Sequence, residues 1–259
     1  MKTYTDRLRK RLSRSFRDMS PPQLTDVNPN IARLLAAART AFSRGFRQAL
    51  NAPPDALPLL LNEPVQTRGF ALEGAAMALV MMDELSSARL RLLATLLTGR
   101  SEAEQTLCAI GVGWAGARLG RSSAWMPPEL DHRYMHAVAD GYGFHQGFFH
   151  SHRFTGRGFP KAKSELNDAY DIGLGRALWF VHLGRVKPVA GDIGKMPPDR
   201  RMQLWRGVGT ACAFTGSSEY ATAQLCTAAV GFENHFWAGL ETGTQLLRAL
   251  AQQAEEETL

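Results

Sequence analysis

Apolar side chains recur along most of this chain at intervals of three and four, the period of a helix with one buried face. Ile31, Leu34, Leu35, Ala38, Phe42 and Phe46 predict a helix over residues 31–50, with Asn30 as its cap. A longer apolar stretch from Thr67 to Thr98 predicts a second helix, closed by Gly99. Ser101-Glu-Ala-Glu104 is a capping box, in which the serine hydroxyl and the glutamate carboxylate each satisfy an amide at the start of the next helix. That helix is expected to run through Trp114 to Leu119 and stop at Gly120.

Pro127-Pro128 opens a segment through Asp140 to Phe149, and residues 151–163 read as a loop. Asn167 or Asp168 can cap a helix reaching Val181. Pro188 to Pro197 reads as a connector, and Pro197-Pro198-Asp199 starts a helix to Thr215. After Gly216-Ser-Ser, the chain reads as helical to about Ala254, bent at Gly231 or Gly239. Hairpin signals and strand-like alternation are absent, so the expected class is all-α. The expected domains are a basic amphipathic helix (1–20), a helix with a Pro-rich linker (21–66), a main helical domain (67–254) and a frayed tail (255–259).

Inside the predicted helices Gly-x-Gly recurs at Gly111/Gly113, Gly141/Gly143, Gly173/Gly175 and Gly207/Gly209, with starts 30, 32 and 34 residues apart. Two glycines in mid-helix cost about 2 kcal/mol relative to alanine. A return is therefore expected, and close approach of a neighbouring backbone or a flat guest would supply it. Two arrangements remain open: helices one per period with glycine faces turned inward, or glycines that break the helices over a pocket. Either gives one domain of Gly-rich antiparallel helices, a repeat-like bundle or a helical barrel.

Charge changes this picture only at one end. Residues 1–20 hold seven Lys/Arg against two Asp, and the whole chain carries +6, so the body is near neutral. That excludes a nucleic-acid partner for the body. Tyr4, Leu8, Leu12 and Phe16 form an apolar stripe on the basic helix. It can pack on its own body or a second copy in a homodimer, or meet a membrane surface or another partner. No run reaches the ~18 uninterrupted apolar residues of a membrane span. Cys108, Cys212 and Cys226 sit in apolar surroundings, so reduced core thiols and a cytoplasmic protein are expected.

The candidate chemistry lies beside the glycines. Asp140 and Asp171 each precede a Gly-x-Gly, with His145 and Arg176 five residues beyond. Two buried acids facing one cavity could act as acid and base, with His145 as partner to Asp140 and Arg176 setting the field. The plainer reading makes Asp140–His145 and Asp171–Arg176 structural pairs. Glu73 is either a third pocket acid or the ion-pair partner of an arginine such as Arg118. Trp114, Tyr142, Phe144, Trp179, Trp205, Arg206 and Glu233 complete the candidate lining for an apolar small-molecule substrate. His132, His136 and Asp140 would share a face of a continuous helix, but the glutamate of a His-Glu-x-x-His site is missing. No metal or other cofactor is assigned.

Five segments resemble the uncharacterised bacterial DUF1702 family, often encoded beside enediyne polyketide synthases. They are Arg68-Gly-Phe with Glu73-Gly74, Gly111-Val-Gly-Trp-Ala115, Asp140-Gly-Tyr-Gly-Phe-His145 with Gly147-Phe-Phe149, Tyr170-Asp-Ile-Gly-Leu-Gly-Arg-Ala-Leu-Trp-Phe180 and Leu204-Trp-Arg-Gly-Val-Gly209. The resemblance spans roughly Arg68 to Gly243 and implies a role in making a polyene-derived natural product, without assigning catalytic residues. The leading expectation is cofactor-independent proton transfer, an isomerisation or cyclisation on an apolar polyene. The alternatives are a non-catalytic binding, carrier or self-resistance protein, and a scaffold docking to a synthase.

Overall fold

A computed structural model describes residues 2–15, 27–51, 63–86, 90–154, 158–159, 161, 164–215 and 219–256. The described residues form eleven α-helices and no strand: α1 (Lys2–Ser15), α2 (Pro29–Asn51), α3 (Val65–Leu85), α4 (Leu92–Leu97), α5 (Glu102–Arg118), α6 (Met135–Phe149), α7 (Asn167–Val181), α8 (Val186–Lys195), α9 (Pro198–Phe214), α10 (Glu219–Ala228) and α11 (Glu233–Glu256). The all-α expectation holds.

Several boundaries move for local reasons. Asn28, not Asn30, caps α2, its side-chain oxygen accepting from the amides of Asn30 and Ile31. The stretch 67–98 is two helices rather than one. The Asp83 carboxylate accepts from the Leu92 and Leu93 amides and so starts α4, after Arg91 turns left-handed. The capping box forms as expected at Ser101 and Glu104. No side chain caps α7, which instead follows a 3-10 turn over Ser164–Leu166. The expected connector at 188–197 contains α8, whose Pro188 lies in the first turn, where a missing amide is harmless. The last helical stretch breaks at Gly231, with a positive φ of 80°, and runs unbroken through Gly239.

The glycines do not face a hollow. Within each Gly-x-Gly the first residue meets the helix before it and the second meets the helix after it. Gly141 lies against the Ile110 carbonyl of α5, and Gly143 against the Tyr170 carbonyl of α7. Gly173 reaches back to Asp140 in α6, Gly175 forward to Leu204 in α9, Gly207 back to Ile172 and Gly209 forward to Phe236 in α11. Two residues are about 200° of helix rotation, so the pair points to nearly opposite sides. That is what a helix between two equally close neighbours needs. A β-carbon at any of these positions would lie well inside 3 Å of a backbone oxygen. The contacts have the character of weak Cα–H···O bonds between adjacent helices.

The register of these contacts corrects the antiparallel expectation. Gly143 meets Tyr170 while Gly147 meets Ala177, so α6 and α7 run the same way. Likewise Asp171 pairs with Arg200 and Trp179 with Thr215 along α7 and α9. The physical reason is the length of each period: a helix takes about half, and the remainder, often holding a short helix, carries the chain back to the starting end. Between α2 and α3 the same kind of contact recurs, Gly45 meeting the Ala71 carbonyl and Gly74 the Phe42 carbonyl.

The row of parallel helices curls so that distant members touch. Phe70 of α3 packs its ring against Phe180 of α7 and Phe214 of α9, at 6.0 and 5.8 Å. α11 meets α3 and α5, and Gln253 donates to Glu104 at 2.9 Å. α1 packs on α2 and α3 and buries Leu12. The side chains of Tyr4 and Phe16 lie outside the described residues, as does most of the Pro-rich linker, 52–62. Among the described residues, no helix is long and apolar enough to cross a membrane.

If glycine contacts hold the stack, their loss is specific. Gly173→Ala forces a methyl into the Asp140 carbonyl and should destabilise by about 3 kcal/mol. Gly191→Ala in α8 meets nothing within 4 Å and should gain up to about 1 kcal/mol. Urea unfolding of both variants checks this, and equal effects would contradict the ladder.

Candidate functional site

Three helices, two of them consecutive and one far earlier in the chain, bring one arginine between two acids. From α7, the Arg176 guanidinium donates through Nη1 to Oδ1 of Asp140 on α6 at 2.7 Å, and through Nη2 to Oε1 of Glu73 on α3 at 3.4 Å. The glycine ladder sets this up. Gly173 lets α7 sit on the carbonyl of Asp140 itself, and Gly111 lets α5 sit on the carbonyl of Glu73. The guanidinium lies over the Phe144 ring, 5.2 Å from its centroid. Glu73 and Arg176 are buried, whereas the Asp140 side chain keeps 16% of its surface exposed.

Two carboxylates around one guanidinium leave an excess negative charge in an apolar interior. Burial pushes the Glu73 carboxyl up to about 7, Arg176 opposing and Asp140 adding to the rise. Burial raises Asp140 too, against the pull of Arg176. Burial works against the Arg176 cation, but Asp140 and Glu73 together outweigh it and leave the guanidinium more firmly protonated. An acid that titrates near neutral pH, Glu73, therefore sits beside Asp140, which makes the shorter bond to the shared arginine. The shorter bond places the carboxylate at Asp140 and the proton at Glu73. A proton donor and an acceptor thus share one site.

The other candidates separate from this cluster. Asp171 is not the partner of Arg176: Arg200 of α9 grips it through Nε at 2.9 Å and donates Nη1 to the Phe159 carbonyl at 2.7 Å. Burial raises the Asp171 carboxyl, against Arg200. Nor does His145 pair with Asp140. It points the other way round α6, edge-on to Trp114 at 5.8 Å, with neither ring nitrogen hydrogen-bonded. Burial drives its pKa down to about 3, helped by His150 and Arg118, so the ring stays neutral. Glu73 takes Arg176 as its partner rather than Arg118.

Trp114 and Phe144 belong to the aromatic core next to the cluster, at 4.9 Å from one another. Tyr142 lies outside that core and donates its hydroxyl to the Arg121 carbonyl at 3.0 Å. Trp179 is buried and donates to the Thr215 hydroxyl at 2.9 Å, and Trp205 is buried in α9. Arg206 is half-buried and contributes its carbonyl to the contact with Gly239. Glu233 opens α11, where its own amide and that of Gly231 hold its carboxyl below the usual range. Among the described residues, none of these five bonds to the Glu73–Arg176–Asp140 cluster. His132 lies in a 3-10 turn before α6, so His132, His136 and Asp140 do not share a continuous helix. Among the described residues, no group of three or more His, Cys, Asp or Glu could hold a metal ion.

Sequence reasoning missed Arg200 and Arg39. Arg39 carried a usable signal: it falls four residues after Leu35 and three before Phe42, on the buried stripe of α2. Arg200, in a run of charged residues at a helix start, carried none.

The pH dependence of stability follows from Glu73. Its folded pKa, about 7, stands above the ordinary 4.5, so the folded state binds the extra proton between these values. Stability from this group is present below pH 4.5 and lost as pH rises through 7, on the order of 3 kcal/mol in all. His145, with its depressed value, acts in the opposite sense at lower pH. Glu73→Gln isolates the first effect: near wild-type stability at pH 5, and greater stability than wild type at pH 8. Paired denaturant titrations at the two pH values check it, and an equal difference at both would contradict the shared proton.

Neither the curated proteins nor the solved structures contain a match to this chain. A family model described as a protein of unknown function, DUF1702, matches residues 12–258, and the chain belongs to that family.

Proposed function

We propose that the protein is a cofactor-independent acid–base enzyme of natural-product biosynthesis, moving a proton on an apolar, polyene-like substrate of the enediyne or polyketide type. The observation that carries this reading is the Glu73–Arg176–Asp140 cluster, in which burial pushes the Glu73 carboxyl up to about 7 beside an arginine-bound Asp140. Isomerisation or cyclisation of a polyene needs a proton delivered at one carbon and another removed elsewhere. Glu73 is the proton store. Asp140, the most exposed member, is the group a guest can touch, and Arg176 keeps it ionised until it accepts a proton. Phe144 beside the guanidinium offers an aromatic face to unsaturated carbon and to developing positive charge. His145 and Asp171 have no part in the proton step. The resemblance to a family found beside enediyne polyketide synthases supports the substrate class.

A second reading keeps the guest and removes the reaction: a binding, carrier or self-resistance protein in which the cluster only ties α3, α6 and α7 together. Its support is the burial of Glu73 and Arg176.

Deuterium incorporation separates the two. In D2O the protein should place deuterium on a conjugated polyene carboxylate, detected by mass spectrometry. Asp140→Asn and Glu73→Gln should each lower the rate by about 100-fold or more while the helical circular dichroism is unchanged. Incorporation at the wild-type rate by a folded Asp140→Asn protein would refute the role.

A further inference from the structure

Among the described residues, the buried cation Arg39 has no counter-ion. It lies on the inner stripe of α2 with 4% of its surface exposed, and no carboxylate pairs with it. Its Nη2 donates to the carbonyl of Phe180 at the end of α7, while Nε and Nη1 have no acceptor among the described residues. The guanidinium stands 5.3 Å from the centroid of the Phe148 ring. The same ring approaches Trp114 at 6.3 Å, and the indole Nε1 of Trp114 is also buried and unpaired among the described residues. His145, edge-on to the same indole, leaves both ring nitrogens unpaired. Burial brings the Arg39 guanidinium down to about 10, so it remains charged at neutral pH.

Buried polar groups are nearly always hydrogen-bonded, and a buried charge is nearly always paired. Here unpaired donors converge on one aromatic cluster. Arg39 supplies two, Trp114 one and the neutral imidazole one, against a single imine acceptor. A site so biased towards donors fits a group made of lone pairs, an oxyanion. The surroundings add the second half of the description, because Phe148 and Phe149 are only partly buried. The aromatic cluster therefore reaches the surface at the end of α6. We infer that Arg39 anchors the carboxylate of an apolar, unsaturated chain whose body lies along the Phe148 and Trp114 rings. This needs a bound guest and no reaction, so it stands apart from the acid–base reading. A buried water would satisfy the same atoms without selecting any guest.

The probe is cis-parinaric acid, a conjugated tetraene carboxylate that accepts energy from tryptophan, set against its methyl ester and against inorganic phosphate. The wild type should bind the acid at least about tenfold more tightly than the ester, with quenching of tryptophan emission. Arg39→Met should bind acid and ester alike and should melt no lower than wild type, since it removes an unpaired buried charge. Arg39→Lys keeps the charge and should keep a preference for the acid. Equal binding of acid and ester by the wild type overturns the inference, as does an undiminished preference in Arg39→Met. Phosphate stabilising the wild type as much as the acid would also overturn it, since the chain would then contribute nothing. If Arg39→Met does not fold, the wild-type and Arg39→Lys comparisons still decide. A wild type that binds the acid selectively yet moves no deuterium would sink the acid–base reading and leave this one standing.

Discussion

Backbone-to-backbone contact between helices is the constraint from which the rest of this molecule follows. Helices packed through large side chains stand 8–10 Å apart and tolerate many registers. Helices packed glycine against carbonyl have little such freedom, because an added methyl at these positions has nowhere to go. Each Gly-x-Gly fixes one helix to both neighbours, and the period fixes the next. The result is a row of rods whose relative positions are set by main chain, leaving side chains on the remaining faces for the interior.

That rigidity explains how three charges come to rest among aromatic rings. Asp140 and Arg176 are held by the contact of Gly173 with the Asp140 carbonyl, and Glu73 by the contact of its own carbonyl with Gly111. A buried Glu–Arg–Asp set is a poor stabiliser compared with apolar residues of the same volume. Its presence at a point where the main chain is most constrained is the reason to read it as chemistry. Arg39 and His145, also buried and less well satisfied, lie beside the Phe148 and Trp114 rings of the same aromatic cluster. The interior thus has two polar clusters bordered by the same aromatic rings, one rich in donors and one with an acid that burial raises to about 7.

Much of the frame was legible from local pattern. The Ser101–Glu104 box, the stop at Gly120, the start at Pro198 and the glycine period are all decided by a few neighbouring residues. Helix direction was not legible, because it depends on how the return segments travel. Partners were legible least of all. Arg176 finds Asp140 36 residues away and Glu73 103 residues away, whereas sequence proximity pairs Arg176 with Asp171 and Asp140 with His145. Spacing within a motif says which residues share a helix face. Which foreign face lies opposite is a property of the whole curl, as the Asp171–Arg200 pair also shows.

The central claim is that α3, α6 and α7 hold one proton between two carboxyl groups at neutral pH. Carbon-13 NMR of protein labelled at the side-chain carboxyls of Asp and Glu tests it most directly. The account predicts a glutamate resonance that titrates near pH 7, disappears in Glu73→Gln and shifts in Asp140→Asn. Side-chain carboxyls that all remain ionised down to pH 5 would contradict it.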